Sequence, residues 1–261
     1  MSRPLAVVDL GHMAYAEAHR LQRWLCDQRA AGTIDRDLLL LVEHEPTITL
    51  GRGTRPESLP LPVAELERRG LTVVEVERGG DVTWHGPGQL VGYPILDLQQ
   101  HRPDLHWYLR QVEEALIRGL ARLDIPAERN PGYTGVWTGG RKIASIGIHV
   151  RRWVTTHGFA LNISNTGEGF DLIVPCGIAG VEMTSVAREG GKQEAGGRSQ
   201  GRALWVKTRD AIVAAFGEVF GLTPESAEPG AIAPGLATPA SCLPPSAPQG
   251  TESAIATFLP E

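Results

Sequence analysis

A chain of 261 residues with 42% hydrophobic content can bury one substantial core, so a single domain is the default. Thirty acidic against 25 basic residues give a formal net charge of −5, which excludes bulk nucleic-acid binding, where phosphates demand a basic surface. No apolar run is long enough to cross a membrane, and three scattered cysteines (Cys26, Cys176, Cys242) make no disulfide framework, so a reducing cytoplasm is the expected setting.

The opening Met1-Ser2-Arg3-Pro4 carries no basic-then-apolar secretory pattern. Residues 5–10 read as a first strand, followed by a helix with Ala14, Ala18, Leu21 and Leu25 on one face. Apolar runs at 38–42 and 47–50 flank the turn His44-Glu45-Pro46. Residues 59–69 read as a short helix and 71–76 as a strand. Next comes Arg78-Gly79-Gly80-Asp81-Val82-Thr83-Trp84-His85-Gly86-Pro87-Gly88-Gln89, too rich in glycine to fill a core. Glycine lets backbone turn sharply or approach a ligand closely, and loops carried on rigid strands concentrate function. This segment is therefore a candidate binding loop.

Residues 90–98 form a further strand, and an amphipathic helix then uses Leu109, Val112, Leu116, Leu120 and Leu123. Residues 136–163 alternate apolar with polar or small side chains, the pattern of a β-meander. Ala144, Ile146, Ile148 and Val150 share one parity there, and Ser145, Gly147, His149 and Arg151 the other. The run 170–174 is expected to be an apolar strand ending at Pro175-Cys176-Gly177, and the last helix to bury Ile212, Phe216, Val219 and Trp205. Residues 189–201, rich in glycine and charge, read either as a lid or as a flexible loop. From Thr223 onward the composition has no helical or strand period. The expected division is a catalytic domain over 1–222 and a disordered or loosely packed tail over 223–261. The element mix predicts an α+β fold with a mixed or mostly antiparallel sheet flanked by helices.

Two residues stand out chemically. Cys176 ends the expected strand, which would lift the thiol to a sheet edge and leave the Gly177 and Ile178 N–H groups for a developing oxyanion. The plainer reading is a buried cysteine acting as a small hydrophobe. Lys142 shares the apolar parity of its strand, where lysine is rarely buried without a partner; the plainer reading is a strand-end side chain that snorkels to water. An ammonium meeting the thiol would favour the thiolate, and a desolvated lysine also shuttles protons. Arg141, Lys142, Arg151 and Arg152 are either a basic patch for an acidic protein partner or a solvated strand end. His44, His85, His149 and His157 lack metal-ligand spacing, so no metal is expected, while a cysteine–histidine pair using His85 or His157 stays open. There is no G-x-x-x-x-G-K-S/T phosphate loop, and no cofactor is expected.

The loop 78–89, the run Arg141-Lys142-Ile143-Ala144-Ser145-Ile146-Gly147 and the run Pro175-Cys176-Gly177-Ile178, in this order, resemble the lipoyl(octanoyl) transferases of the lipoate-protein ligase B type. The resemblance extends from the first strand to the helix near Phe220. It implies the biotin/lipoate-ligase-like fold and an octanoyl-acyl carrier protein:protein N-octanoyltransferase. It implies Cys176 as the nucleophile that carries the acyl thioester, and Lys142 as the residue that lowers the thiol pKa and relays protons. It further implies substrate contacts from Arg78, Gly79, Gly80, Asp81, Val82, Thr83, Trp84 and His85, and from Ser145, Ile146, Gly147, Gly158, Phe159 and Ala160. The implied donor is octanoyl-acyl carrier protein. The implied acceptors are lipoyl domains of 2-oxoacid dehydrogenase E2 subunits and the glycine cleavage H protein, with no nucleic acid and no membrane. Trp84 stands where the family more usually carries tyrosine, which predicts either a changed pocket shape or a lost hydroxyl contact. Three rivals remain: an ATP-dependent lipoate or biotin ligase of the same fold, a non-catalytic acyl or lipoyl-domain binding module, and a thioesterase with the same acyl-enzyme and water as acceptor. The ligases carry an acidic residue after the loop histidine, where this chain reads His85-Gly86.

Overall fold

Strand β1 (Arg3–His12) leads into helix α1 (Tyr15–Ala30), which turns Ala18, Leu21, Leu25 and Cys26 inward at helical spacing. The computed structural model describes residues 2–178, 180–191 and 198–233, without the side chains of 198–200. There follow β2 (Asp37–Glu43), β3 (Thr47–Leu50), α2 (Val63–Arg68), β4 (Thr72–Glu75), β5 (Val82–His85) and β6 (Gln89–Ile95). Helix α3 (Leu105–Ala121) starts at Asp104, whose carboxylate accepts the Trp107 N–H at 3.0 Å and so caps an otherwise orphaned donor. Next come β7 (Glu128–Asn130), β8 (Tyr133–Thr138), β9 (Arg141–Arg151), β10 (Val154–Asn162), α4 (Val186–Glu189), α5 (Arg198–Phe220), β11 (Leu222–Ser226) and α6 (Pro229–Ile232).

Eight strands form the larger sheet in the order β11-β1-β2-β6-β10-β9-β8-β7. Strand β1 runs parallel to both of its neighbours, and the other pairings are antiparallel. Helices α3 and α5 cover one face, packing on Leu39, Leu41 and Leu161; α1 covers the other, over Leu38, Leu40 and Val42. Cover on both faces explains why β2 is an unbroken apolar run, since neither parity meets water. A second sheet, β4-β3-β5, closes over its own core of Ile48, Leu66, Val82, Trp84 and Phe170. The mixed sheet flanked by helices is the expected α+β architecture.

Three stretches differ from expectation. A third of the supposed glycine loop is β5, paired antiparallel with β3 from Val82 opposite Leu50 to His85 opposite Thr47. The run 170–174 is not a strand: a 3-10 turn over Phe170–Leu172 puts Phe170 and Ile173 into the third core, a spacing of three that a strand cannot provide. The expected tail begins too early. Strand β11 pairs with β1 from Leu222 opposite Arg3 to Ser226 opposite Val7, and Ala233 is buried. Pro224 is tolerated because β11 is an edge strand. The rest of the expected tail, 234–261, and the middle of the segment read as a lid or a loop, 192–197, lie outside the described residues, while Glu189 ends α4 and 198–201 open α5.

Candidate active site

Cys176 sits in a 3-10 turn over Pro175–Gly177, with left-handed backbone at φ 57° and ψ 19°. A non-glycine residue there stores roughly 1–3 kcal/mol of strain that its surroundings must hold. Gly177 follows with φ 65°, and a Cβ at that position would run into Arg55 and Asp81. These two residues are the clamp. Arg55 Nη2 donates to the Gly177 carbonyl at 3.1 Å, Arg55 Nε lies 3.5 Å from Asp81 Oδ2, and Ser58 Oγ donates to the same carboxylate at 2.6 Å. The clamp anchors the cysteine turn to the start of β5.

Lys142 reaches this turn from β9, and its Nζ donates to Cys176 Sγ at 3.0 Å. The lysine is fully buried, while the cysteine is half-buried. Neither plain reading survives, because the lysine does not snorkel and the thiol is not walled into a core. The Trp137 ring lies 4.9 Å from the ammonium and offers it an aromatic face. Segment 182–184 brackets the lysine backbone: its N–H donates to the Glu182 carbonyl at 2.8 Å, and its carbonyl accepts the Thr184 N–H at 2.9 Å. The N–H groups expected to serve an oxyanion are already used. Gly177 N–H donates to the Val174 carbonyl at 3.0 Å and Ile178 N–H to that of Pro175 at 3.1 Å, as a 3-10 turn requires and a strand end would not.

Cys176 opens onto a cavity of about 270 Å³. The hairpin β9–β10 supplies Ser145, Ile146 and Gly147 on one strand and Gly158, Phe159 and Ala160 on the other. From the glycine segment, Arg78, Gly80, Asp81, Thr83 and His85 line it. Val82 and Trp84 do not, since alternation along β5 turns them to the third core. Trp84 meets Phe170 edge-on with centroids 5.3 Å apart, and a Cβ at Gly86 or Gly169 would collide with its indole. The indole therefore changes the core beneath the site rather than the shape of the pocket. Gly79 serves as a tie, its N–H donating to the Ile148 carbonyl of β9 at 2.9 Å.

Tyr15, Val91, Tyr93, Tyr133 and His157 also line it and were not singled out from sequence as substrate contacts. They come from α1, β6, the start of β8 and β10, so no local spacing joins them. Beneath them lies a buried polar layer. Arg78 donates to the Thr49 carbonyl at 2.8 Å, to Thr49 Oγ1 at 2.9 Å and to the Asp81 carbonyl at 2.7 Å. Burial pushes its pKa down from the ordinary guanidinium value. His85 stacks on Tyr15 with centroids 5.5 Å apart, and its Nδ1 is 2.8 Å from Gln89 Oε1 and so carries the proton. Burial first, and the His44 charge second, hold the His85 pKa down to about 3; burial likewise takes His157 to about 4. Both imidazoles are neutral at pH 7, and the sulfur's hydrogen-bond partner is an ammonium.

Of the two readings of Arg141, Lys142, Arg151 and Arg152, the basic patch does not form one surface. Lys142 is buried against the thiol, Arg141 pairs with Glu189 at 2.9 Å, and Arg151 lies 3.0 Å from Asp27, which also takes Arg152. Arg141 and Arg151 are the two ends of β9, roughly 30 Å apart at the rise of a strand.

The sequence profile of the lipoyl protein ligase A/B catalytic domain matches residues 14–196. An octanoyltransferase of Geobacter sulfurreducens is 53% identical over 188 residues, which cover 72% of this chain and 77% of that protein. An octanoyltransferase of Chloroflexus aggregans is 46% identical over 228 residues, covering 86% and 99%. The solved bi-partite lipoate protein ligase of Thermoplasma acidophilum shares the fold, with a TM-score of 0.61 at 12% identity over 87% of each chain.

Proposed function

This chain belongs to the lipoyl protein ligase A/B catalytic family and is an octanoyltransferase of protein lipoylation, and we propose that the octanoyl group passes through Cys176. The observation that carries this reading is the 3.0 Å contact between a buried Lys142 ammonium and a half-buried sulfur at the mouth of a cavity. With the proton on Lys142, Cys176 Sγ attacks the thioester carbonyl of the donor, a carbon–sulfur bond forms, and the carrier thiolate leaves with a proton from Lys142. The acceptor lysine amine then attacks the octanoyl-Cys176 carbonyl. A carbon–nitrogen bond forms, the carbon–sulfur bond to Cys176 breaks, and the amine proton returns to Lys142. Both halves start from a thioester, so no nucleotide is consumed. The donor is octanoyl-acyl carrier protein, and the acceptors are lipoyl domains, among them those of 2-oxoacid dehydrogenase E2 subunits and the glycine cleavage H protein.

The cavity supplies selectivity. Ile146, Phe159 and Val91 give it apolar wall, and each methylene removed from water is worth about 0.8 kcal/mol. The test is the intact mass of the protein mixed with octanoyl-acyl carrier protein in the absence of ATP. The expected result is a gain of one octanoyl group that hydroxylamine removes, that Cys176→Ser lacks, and that moves to an added lipoyl domain. An unmodified wild-type mass, with transfer appearing only when ATP and free octanoate are supplied, overturns the covalent route.

A further inference from the structure

Three side chains that the acyl chemistry does not use converge at the back of the cavity, where His157 is part of the wall and the other two lie behind it. His19 comes from α1, Glu77 from the link after β4, and His157 from β10. His19 Nε2 is 2.8 Å from Glu77 Oε2, and His157 Nε2 is 3.8 Å from the same oxygen. All three atoms lie within 4.8 Å of one another. An ion pair needs one imidazole per carboxylate oxygen, and here a second waits beyond hydrogen-bonding distance. The other oxygen, Oε1, faces Arg23 Nη1 at 3.7 Å, the kind of outer partner that holds a ligating carboxylate in place.

The His157 backbone adds an independent sign. Its φ is +56°, a left-handed conformation in mid-strand, held by a 2.8 Å bond from its N–H to Gln22 Oε1. The surroundings thus fix a strained backbone at the residue that brings its imidazole to Glu77. The cluster is also open on one side, since the His157 side chain is 4% exposed while that of Glu77 is 35% exposed. An ion could enter over Glu77 and keep a water.

We propose that His19, Glu77 and His157 form a binding site for a divalent transition ion of the zinc type, held by the two Nε2 atoms and Glu77 Oε2. Two imidazoles, one carboxylate and one open position suit zinc, and imidazole-rich sites take cobalt, nickel and copper as well. Ligation needs unprotonated imidazole, and His157 is neutral at pH 7 because burial holds its pKa to about 4. The ion would clamp α1 to the strand whose His157 lines the acyl cavity.

The test titrates full-length Cys176→Ser protein with cobalt(II) and then displaces it with zinc, so that the site thiol cannot serve as ligand. One equivalent should bind with a visible d–d band and without a thiolate charge-transfer band in the near ultraviolet. Affinity should fall at least about tenfold in both His19→Gln and Glu77→Gln. With Cys176 restored and no metal added, His19→Gln should keep its octanoyl transfer, because His19 lies outside the cavity. Unchanged affinity in both variants would place the ion elsewhere, for instance at His12 and Glu43, which lie 3.4 Å apart, and would overturn the proposal. A thiolate band, or no binding at tenfold excess, would overturn it equally.

Discussion

Lys142 and Cys176 meet through a single 3.0 Å contact, so replacing the lysine tests proton relay without removing the nucleophile. Lys142→Met is expected to slow transfer by about 10²–10⁴, the usual worth of a positioned acid–base group. Single-turnover acylation followed by mass reads the effect directly. Gly92 tests the cavity in the same spirit. It lies on β6 between Val91 and Tyr93, both lining residues, and a Cβ there would strike the Phe159 ring. Gly92→Ala should push that ring into the acyl space and lower kcat/KM for octanoyl relative to hexanoyl donors, by about fourfold for each methylene excluded. An unchanged ratio would mean that the tail does not lie against Phe159. At this scale the sequence was legible where a residue type was itself improbable: a lysine of apolar parity and a cysteine between proline and glycine. It was not legible where the turn type decided. Nothing in Pro-Cys-Gly-Ile says that the Gly177 and Ile178 N–H groups close a 3-10 turn, and Val82-Thr83-Trp84-His85 hides its alternation inside glycines.

Among the elements, a relay of side-chain amides connects the glycine segment to the strand that carries the lysine. Gln89 Nε2 donates to Asn162 Oδ1 at 3.1 Å, Asn162 Nδ2 donates to the Thr184 carbonyl at 3.0 Å, and the Thr184 N–H bonds Lys142. Asn162→Ala would remove one of the two bonds that Gln89 Nε2 donates, the other being to the Trp84 carbonyl, and would take the side-chain donor from the buried Thr184 carbonyl. It should cost about 1–3 kcal/mol in a denaturant melt, together with a fall in kcat. Retained stability would show that water replaces the amide. The meander β8–β9–β10 and helices α1 and α3 follow their hydrophobic periods and were readable. Strand β11 was not, because Leu-Thr-Pro-Glu-Ser has no alternation and owes its form to the free edge of β1. Chains ending at Gly221 and at Ala233 should therefore differ. The shorter one uncovers β1 and should melt several degrees lower by circular dichroism, while a shared melting temperature would make β11 dispensable.

Three buried histidines, His44, His85 and His157, are held in their neutral form, and they set the molecule's response to acid. Burial takes His44 and His157 down to about 4 and His85 to about 3, from 6.5 in the unfolded chain. Between those values the unfolded state binds more protons, so stability is fully present above about pH 6.5 and is lost as pH falls towards 4, by about 1.4 kcal/mol for each unit of depression. Glu77 adds to the same trend at lower pH. The imidazoles of His157 and His19 hold its carboxyl well below the carboxylate range, so its contribution disappears as that carboxylate is protonated. Melting temperatures should be level between pH 7 and 8 and fall steadily from pH 6.5 to 4.5. A flat profile across that window would mean that the histidines titrate freely in the native state.

The parallel pairing of β1 with β11 also has a meaning in time. The first strand of the larger sheet leaves the ribosome early, but the partner for its outer edge is translated about two hundred residues later. At 5–20 residues per second that edge waits on the order of 10–40 s. Through that interval Arg3 to Val7 expose unpaired backbone beside a β2 that is apolar from Leu38 to Val42, a template that any passing strand could join. Because Leu222–Ser226 follow Lys142 and Cys176 in the chain, this edge of the sheet closes only after the residues of the site have been made.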